Sequence, residues 1–219
     1  IPSLAEFSLS NWYGSGGHMD FSPIGPNTGE HARRMNELVR SRLHEYGFDH
    51  LAGFYCSSRV LRFINTMVFR KNDADDLARV REALPAGCEP LQYDAHEAGS
   101  WVVVGARGWL APDDPLATDT DARVFRRELE RLRLSVRDAD RRFGRERPRL
   151  AMLHYPPWIE GREPTRVVEI LREGGVGTCV YGHLHGDDPR LGVQGERGGI
   201  RFVLTAADAI GFGPLEIEP

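Results

Sequence analysis

The stretch TCVYGHLHG, Thr178 to Gly186, holds the pattern from which the fold and chemistry of this chain can be argued. The apolar run 176–181 predicts a buried β-strand, and two glycines then flank a pair of histidines one residue apart. Alternate residues of an extended segment point to the same side. His183 and His185 could therefore approach one metal ion or two adjacent ions, or they could lie in a polar loop without chemistry.

Further apolar runs follow the same scheme of strands and helices. Strands are predicted over 101–105, 149–153 and 200–205, and helices over 30–46, 75–84, 121–143 and 165–173. The segment 11–29 is rich in Gly, Pro, Ser and Asn, which predicts a long loop. Strands that alternate with helices indicate an α/β fold, and since no linker is visible, one domain is predicted over 1–219.

Composition excludes several classes of protein. The chain has 219 residues, of which 41% are hydrophobic and 27% charged, as in ordinary globular domains. The net charge of −4 gives no reason to expect nucleic-acid or membrane partners. Three widely spaced cysteines form no CxxC pair, and neither a signal peptide nor an apolar run of about 20 residues is visible. A cytoplasmic protein is therefore predicted.

A third histidine stands at the end of another predicted strand. His154 follows the run 149–153 and precedes two prolines, which stiffen the chain after it. Neutral imidazole is the commonest ligand for borderline divalent metals. A single histidine at a strand end is usually a hydrogen-bonded loop residue. Two strand ends that carry such histidines instead favour metal ligation by His154, His183 and His185.

These motifs resemble a known family. LHYPPW (153–158), followed by VYGHLHG (180–186), is similar to the last two motifs of the calcineurin-like metallophosphoesterases, and GARGW, RRELERLRLS and IRFVLTAADAIGFGPLEI resemble a bacterial subgroup in the same order. The resemblance implies a four-layer αββα fold, a double β-sandwich flanked by helices. It also implies two metal ions at the strand ends.

The first half departs from the family pattern. In AEFSLS, Glu6 and Ser8 stand where the family has Asp-x-His, and Cys56 stands where it has the carboxylate that bridges both metals. In KNDA, Asn72 matches a family ligand, while Asp73 takes the place of the catalytic histidine. A carboxylic acid at that position could protonate a leaving group only if burial raised its pKa.

By residue-by-residue carry-over, the resemblance implies a nearly complete first metal site and a depleted second one. Asn72, His154 and His183 match ligands of the first, whereas His185 and, as a doubtful substitute, Glu6 match the second. One or two divalent ions are expected, with Mn, Zn and Fe all suited to such ligands. Arg107, in GARGW, could contact a substrate phosphate or serve a structural role in its turn.

The function implied is hydrolysis of a small phosphate mono- or diester by metal-activated water. The alternative is a catalytically impaired pseudo-phosphoesterase that keeps the fold and at most one metal, acting as a binding or structural protein. Neither GxSxG nor a phosphate-binding GxxxxGK[ST] loop occurs, so serine hydrolase and P-loop chemistry are unsupported. The substrate and the oligomeric state do not follow from the sequence.

Overall fold

A computed structural model describes residues 17–21, 23–56, 60–70, 73–84, 88–91, 93–185 and 188–219. The chain divides into two compact units, Ile1–Glu89 and Pro90–Pro219. The prediction of one domain over 1–219 stays a prediction, because the compactness of a unit does not show whether it folds alone.

The first unit is an antiparallel sheet with two helices. Its elements are β1 (Gly17–Phe21), β2 (Ile24–Pro26), α1 (Gly29–Glu45), β3 (His50–Cys56), β4 (Val60–Phe69) and α2 (Ala74–Ala83). The long strand β4 pairs antiparallel with β1, β2 and β3. The prediction of a long loop over 11–29 is therefore wrong for β1 and β2, because pairing with β4 overrides their loop-like composition.

The core of the first unit is small. Alternate residues of β4, among them Leu61, Phe63 and Met67, are buried, which is the period of a strand with one covered face. Met67 joins a cluster with Phe48, Phe69 and Val80. Helix α1 contributes no buried residue to this core.

The second unit is a largely parallel sheet with two helices. Its elements are β5 (His96–Ala98), β6 (Trp101–Ala106), α3 (Asp119–Phe143), β7 (Arg149–Leu153), α4 (Arg166–Glu173), β8 (Thr178–Tyr181), β9 (Gly195–Arg197) and β10 (Ile200–Leu204). The strand order is β5-β6-β7-β8-β10-β9. The four central strands run parallel, and the short outer strands β5 and β9 pair antiparallel with their neighbours.

Helix α3 shows why the second unit has the larger core. Thr118 and Asp121 form a reciprocal capping box that fixes where this helix begins. Its apolar residues then recur on one face, so that Leu132 and Val136 pack into a cluster with strand residues such as Val104 and Phe202.

The structure confirms a mixed α/β fold, with two sheets and four α-helices among the described residues. It does not confirm the four-layer double β-sandwich. The predicted strands and helices of the second unit are confirmed to within a few residues at their ends. None of the described helices is long and apolar enough to cross a membrane.

Candidate functional site

The carboxyl ends of β6, β7, β8 and β10 lie side by side, because these four strands are parallel and adjacent. The segments that follow them carry most of the predicted functional side chains. We call the following residues the strand-end cluster: Arg107, His154, Tyr155, His183, His185 and Asp208. Ligands of open parallel sheets bind at this edge.

Backbone hydrogen bonds join the segments that follow neighbouring strands. The carbonyl of Arg107 accepts from the amides of His154 and Tyr155, at 3.0 and 2.9 Å. The amide of Gly182 in turn donates to the carbonyl of His154 at 3.2 Å. The positions of the cluster side chains are therefore set by the sheet and by these bonds.

His183 occupies a strained turn. Its φ is +72°, and the amide of Leu184 donates to the carbonyl of Gly182 at 2.9 Å, which makes His183 the centre of a γ-turn. Non-glycine residues adopt this conformation at a cost and are enriched at functional sites. The backbone conformation of this turn determines the direction in which the His183 side chain leaves the chain.

Two imidazoles and a phenol ring meet at this turn. Nδ1 of His183 lies 3.1 Å from Nε2 of His154, and the ring of Tyr155 stacks on that of His183 with centroids 4.0 Å apart. One nitrogen of the histidine pair must present a lone pair, so at least one of the rings is neutral in this arrangement. Burial raises the pKa of the Tyr155 phenol, which therefore stays protonated at neutral pH.

The aromatic surface continues to Trp109. Its ring lies 5.0 Å from that of Tyr155, and its indole N–H donates to Asp121 at 2.8 Å. Hydrogen bonds from Thr118 and then from Trp109 lower the pKa of Asp121. The guanidinium of Arg107 lies 4.3 Å over the Trp109 ring, within the range of a cation–π contact.

Arg107 also approaches a buried carboxylate. Its Nη2 lies 3.5 Å from Oε1 of Glu128, which pairs with Arg131 at 2.6 Å. Oε2 of Glu128 is buried and has no hydrogen-bond partner among the described residues. These contacts support the structural role predicted for Arg107, and a role in substrate binding stays a prediction.

His185 forms a second, separate contact. Its Nδ1 lies 2.7 Å from Oδ1 of Asp208, and the Asp208 side chain is 5% exposed. An ionised carboxylate only accepts hydrogen bonds, so Nδ1 of His185 carries a proton, and in the neutral imidazole Nε2 then presents the lone pair. A histidine oriented in this way can act as a general base.

The remaining predicted residues belong to the first unit or lie outside the described residues. Asp73 belongs to the first unit and caps α2, where its side chain accepts from the amides of Asp75 and Asp76. Its role as a catalytic acid stays a prediction. Glu6 and Asn72 lie outside the described residues, so the structure does not test them as ligands.

The imidazole nitrogens of the strand-end cluster do not converge on a common point. His154 and His183 contact each other, and His185 contacts Asp208. Within the described parts of the chain, no group of three or more His, Cys, Asp or Glu side chains is arranged to hold a metal ion.

Asp208 is not among the functional residues predicted from the sequence. It stands four residues past the end of β10, in the segment TAAD. The signal that singled out His154 and His183, a polar side chain just past a strand of a parallel sheet, applies to Asp208 as well.

Comparison with known proteins points to another class of protein. No protein family profile matches the chain. It is 29% identical over 79 residues to the flavoprotein subunit of 4-cresol dehydrogenase (hydroxylating) from Pseudomonas putida. The match covers 36% of this chain and only 15% of that relative.

Two solved structures of similar proteins also match in part. A 4-ethylphenol oxidase from Gulosibacter chungangensis, in complex with isoeugenol, is 23% identical with a TM-score of 0.33. A substrate-bound p-cresol methylhydroxylase is 28% identical with a TM-score of 0.35. Each match covers 38% of this chain, and 17% and 16% of the respective relatives. These TM-scores are too low to establish a shared fold.

These relatives overturn the interpretation as a metallophosphoesterase. The predicted phosphoric ester hydrolase activity on a phosphate ester and the divalent Mn, Zn or Fe cofactors are wrong, because the curated relative is the flavoprotein subunit of a dehydrogenase. The alternative of an impaired pseudo-phosphoesterase is not supported either. Short Gly-His motifs at strand ends show where imidazoles lie, but they do not determine what the imidazoles bind.

The described helices offer no uncapped N-terminus to the pyrophosphate of a flavin dinucleotide. Its pyrophosphate needs free amides and positive potential, as at an uncapped helix N-terminus. All four described helices instead have a side chain that caps this end and an acid in the first turn. The capping residues are Thr28, Asp73, Thr118 and Thr165.

Proposed function

We propose that this chain forms part of a flavin-dependent oxidoreductase that acts on para-substituted phenols, and that the strand-end cluster binds the phenol. The supporting observation is the identity of 29% over 79 residues with a 4-cresol dehydrogenase flavoprotein subunit. Because the chain spans 15% of the length of that relative, the activity of the whole protein is part of the proposal.

The acid–base groups of the cluster suit a phenolic hydroxyl. A phenol has a pKa near 10, so its oxygen develops charge at neutral pH only with a base and a nearby cation. Nε2 of His185 is the base we assign, held by the contact of Nδ1 with Asp208. Arg107, whose side chain is 46% exposed, supplies the cation.

Tyr155 of the cluster and the neighbouring Trp109 suit the ring of the same ligand. Tyr155 and Trp109 lie 5.0 Å apart with tilted planes, which leaves ring faces and edges on which a third ring can stack. Burial of a phenol ring here would add apolar contact to the polar recognition of its oxygen.

We place the flavin on a part of the whole protein outside this chain, because none of the described helices has an uncapped N-terminus for its pyrophosphate. The ligand that we propose for this chain is a small phenolic molecule. We retain a cytoplasmic location as part of the proposal, and the net charge of −4 supports the absence of a nucleic-acid partner.

Calorimetric titration of the whole chain with 4-cresol, and with 4-methylanisole as a matched control, tests the phenol site. The two ligands share a ring and a para methyl group, but only 4-cresol has a proton to donate. We expect 4-cresol to bind at least about tenfold more tightly, the equivalent of one hydrogen bond to a polar site. Equal affinities, or no binding of 4-cresol, would contradict the proposal.

The placement of the flavin has its own test. After incubation with FAD and removal of free ligand, the whole chain is expected to retain no visible flavin absorbance. Retention of a stoichiometric flavin would contradict the placement of the flavin outside this chain, whatever the result with 4-cresol.

A further inference from the structure

Strand β3 lies at the edge of the sheet that the described residues of the first unit form. Strand β3 pairs with β4 over seven residues without interruption, and no other described strand pairs with it. All residues from Leu51 to Cys56 are exposed. The backbone groups that point away from β4 are therefore available for a further strand.

This edge lacks the features by which proteins usually block strand addition. The sequence of β3, HLAGFYC, contains no proline and no Lys, Arg, Asp or Glu, and the register with β4 contains no bulge. Three large apolar side chains are exposed on it, namely Leu51, Phe54 and Tyr55, at 50%, 43% and 59%. An open, uncharged and apolar edge of this length is a template for strand pairing.

The sequence of β3 is complementary to itself. If two copies pair antiparallel about a twofold axis at Gly53, Leu51 of each copy faces Tyr55 of the other, and Ala52 faces Phe54. Each pair joins a large aromatic ring to a smaller aliphatic side chain on the same face of the sheet, a favourable cross-strand combination. A twofold axis requires this reciprocity of contacts.

The centre of this register has room for close approach. A side chain at Gly53 would meet no atom within 4 Å, so two glycines can face each other on the axis. Ile64 pairs with Gly53 across β3 and β4, and it is 42% exposed. The Ile64 side chain lies on the same face as Leu51 and Tyr55, where it adds an apolar contact next to the axis.

We propose that the chain forms a homodimer by antiparallel pairing of β3 with β3 of a second copy, centred on Gly53. The occupant is a second copy because the residues of β3 complement one another in this register. The proposal does not depend on the proposed function. An edge-to-edge contact of this length falls below about 1,200 Å² of buried surface, so the dimer dissociates on dilution.

Charge substitutions on exposed positions test the register. In Leu51→Lys/Tyr55→Lys, lysine faces lysine across the interface at both positions, whereas in Leu51→Lys/Tyr55→Glu each lysine faces a glutamate. Within one chain the two positions are about 13 Å apart along the strand, but position 55 also faces Arg62 of β4. Circular dichroism and thermal melting therefore first establish that both variants are folded, so that a difference in their oligomeric state reports the contact between copies.

Sedimentation equilibrium over a range of concentrations gives the readout. We expect a dimer in the wild type, a monomer in the Lys/Lys variant, and a dimer in the Lys/Glu variant that weakens with added salt. A wild type that is monomeric at every concentration, or a Lys/Glu variant as monomeric as the Lys/Lys variant, would overturn the proposal. Dimerisation of the Lys/Lys variant would also overturn the proposal.

Cysteine cross-linking locates the axis independently. In a background with Cys56→Ser and Cys88→Ser, which removes the exposed thiols, Gly53→Cys places two thiols on the axis. Leu51→Cys, the control, places them about two residues to either side. Under mild oxidation, we expect cross-linked dimer to form at least about tenfold faster at position 53, because a disulfide needs Cβ atoms about 4 Å apart. Equal rates would overturn the proposed register.

Discussion

The two units of this chain use similar amounts of regular structure in different ways. In the second, a parallel sheet is covered by α3 and α4, and 23 buried residues form its core, so its strand ends are free to carry polar side chains. Among the described residues of the first, the corresponding cluster has four buried members, and α1 buries none. The site that we propose lies on the better-packed unit, where a rigid sheet fixes side-chain positions.

Substitution in the larger core is expected to have the largest effect. Leu132→Ala removes a side chain that is 1% exposed, so we expect a loss of about 3–5 kcal/mol in the free energy of unfolding of the second unit. Native-state hydrogen exchange measures this loss for each unit separately.

Leu134→Ala in the same helix is the matched control, since Leu134 is 46% exposed, and it is expected to change stability by less than about 0.5 kcal/mol. If Leu132→Ala lowered protection in both units equally, the contrast between two separately packed units would be wrong.

In the first unit, a buried carboxylate adds to the stability that the small apolar core supplies. Asp76 is 1% exposed and accepts hydrogen bonds from the Arg70 side chain at 3.0 and 2.9 Å and from the Arg70 amide at 2.8 Å, and it also pairs with Arg79. Asp76→Asn is expected to cost about 2–3 kcal/mol, less than a fully buried pair because both arginines are partly solvated. Urea denaturation measures the loss, and Asp75→Asn, at an exposed position of the same turn, is the control.

The same carboxylate predicts a pH dependence. Hydrogen bonds from Arg70, followed by that from Arg79, hold the pKa of Asp76 well below its usual value. Its contribution to stability is thus present above the unfolded pKa of about 4 and is lost as the pH falls toward the lower folded pKa. Asp76→Asn should flatten the acid side of the stability profile of the first unit. An unchanged profile would show that Asp76 does not supply this stability.

The smallest expected loss of stability comes from a substitution at the start of α3. Thr118→Ala removes the side-chain acceptor of a capping box, with an expected loss of about 1 kcal/mol in the second unit. Thr120→Ala, in the first turn of the same helix, is the control and should change thermal stability by less than half as much. Equal effects of the two substitutions would mean that the capping box does not set the stability of the helix end.

The sequence predicted the second unit better than the first. Strand β6 is a continuous apolar run, because both of its faces are buried, and α3 has an apolar face with helical period. In contrast, β1 and β2 exist only through pairing with β4, which no local pattern reveals. The edge of the parallel sheet was predicted correctly as the place where polar side chains gather.

The chemistry of that edge could be predicted only in part. Parallel strands bring His154 and His183 together, as their spacing after two strands indicated. That His185 contacts Asp208 depends on the path of the chain after β10, which the sequence does not show. The identity of a ligand depends on which nitrogens remain available, and this is a property of the folded structure.

One further feature of the first unit bears on the phenol site. A cleft of about 400 Å³ is lined by Asn36, Arg40, His44, Phe48 and Asp49. It offers donors and an aromatic ring, and it is large enough for a small ligand. If a phenol bound in this cleft rather than at the strand-end cluster, the ligand site would belong to the first unit and not to the second.

Titration of 4-cresol into His183→Ala and His44→Ala variants of the whole chain tests the central claim most directly. The His183 ring supports the stacked ring of Tyr155, which we assign to the phenol, so loss of His183 disturbs that contact, whereas His44 lies in the cleft of the first unit. We predict that His183→Ala weakens 4-cresol binding at least about fivefold, about 1 kcal/mol, and that His44→Ala leaves it unchanged. Binding that is lost in His44→Ala and kept in His183→Ala would contradict the account.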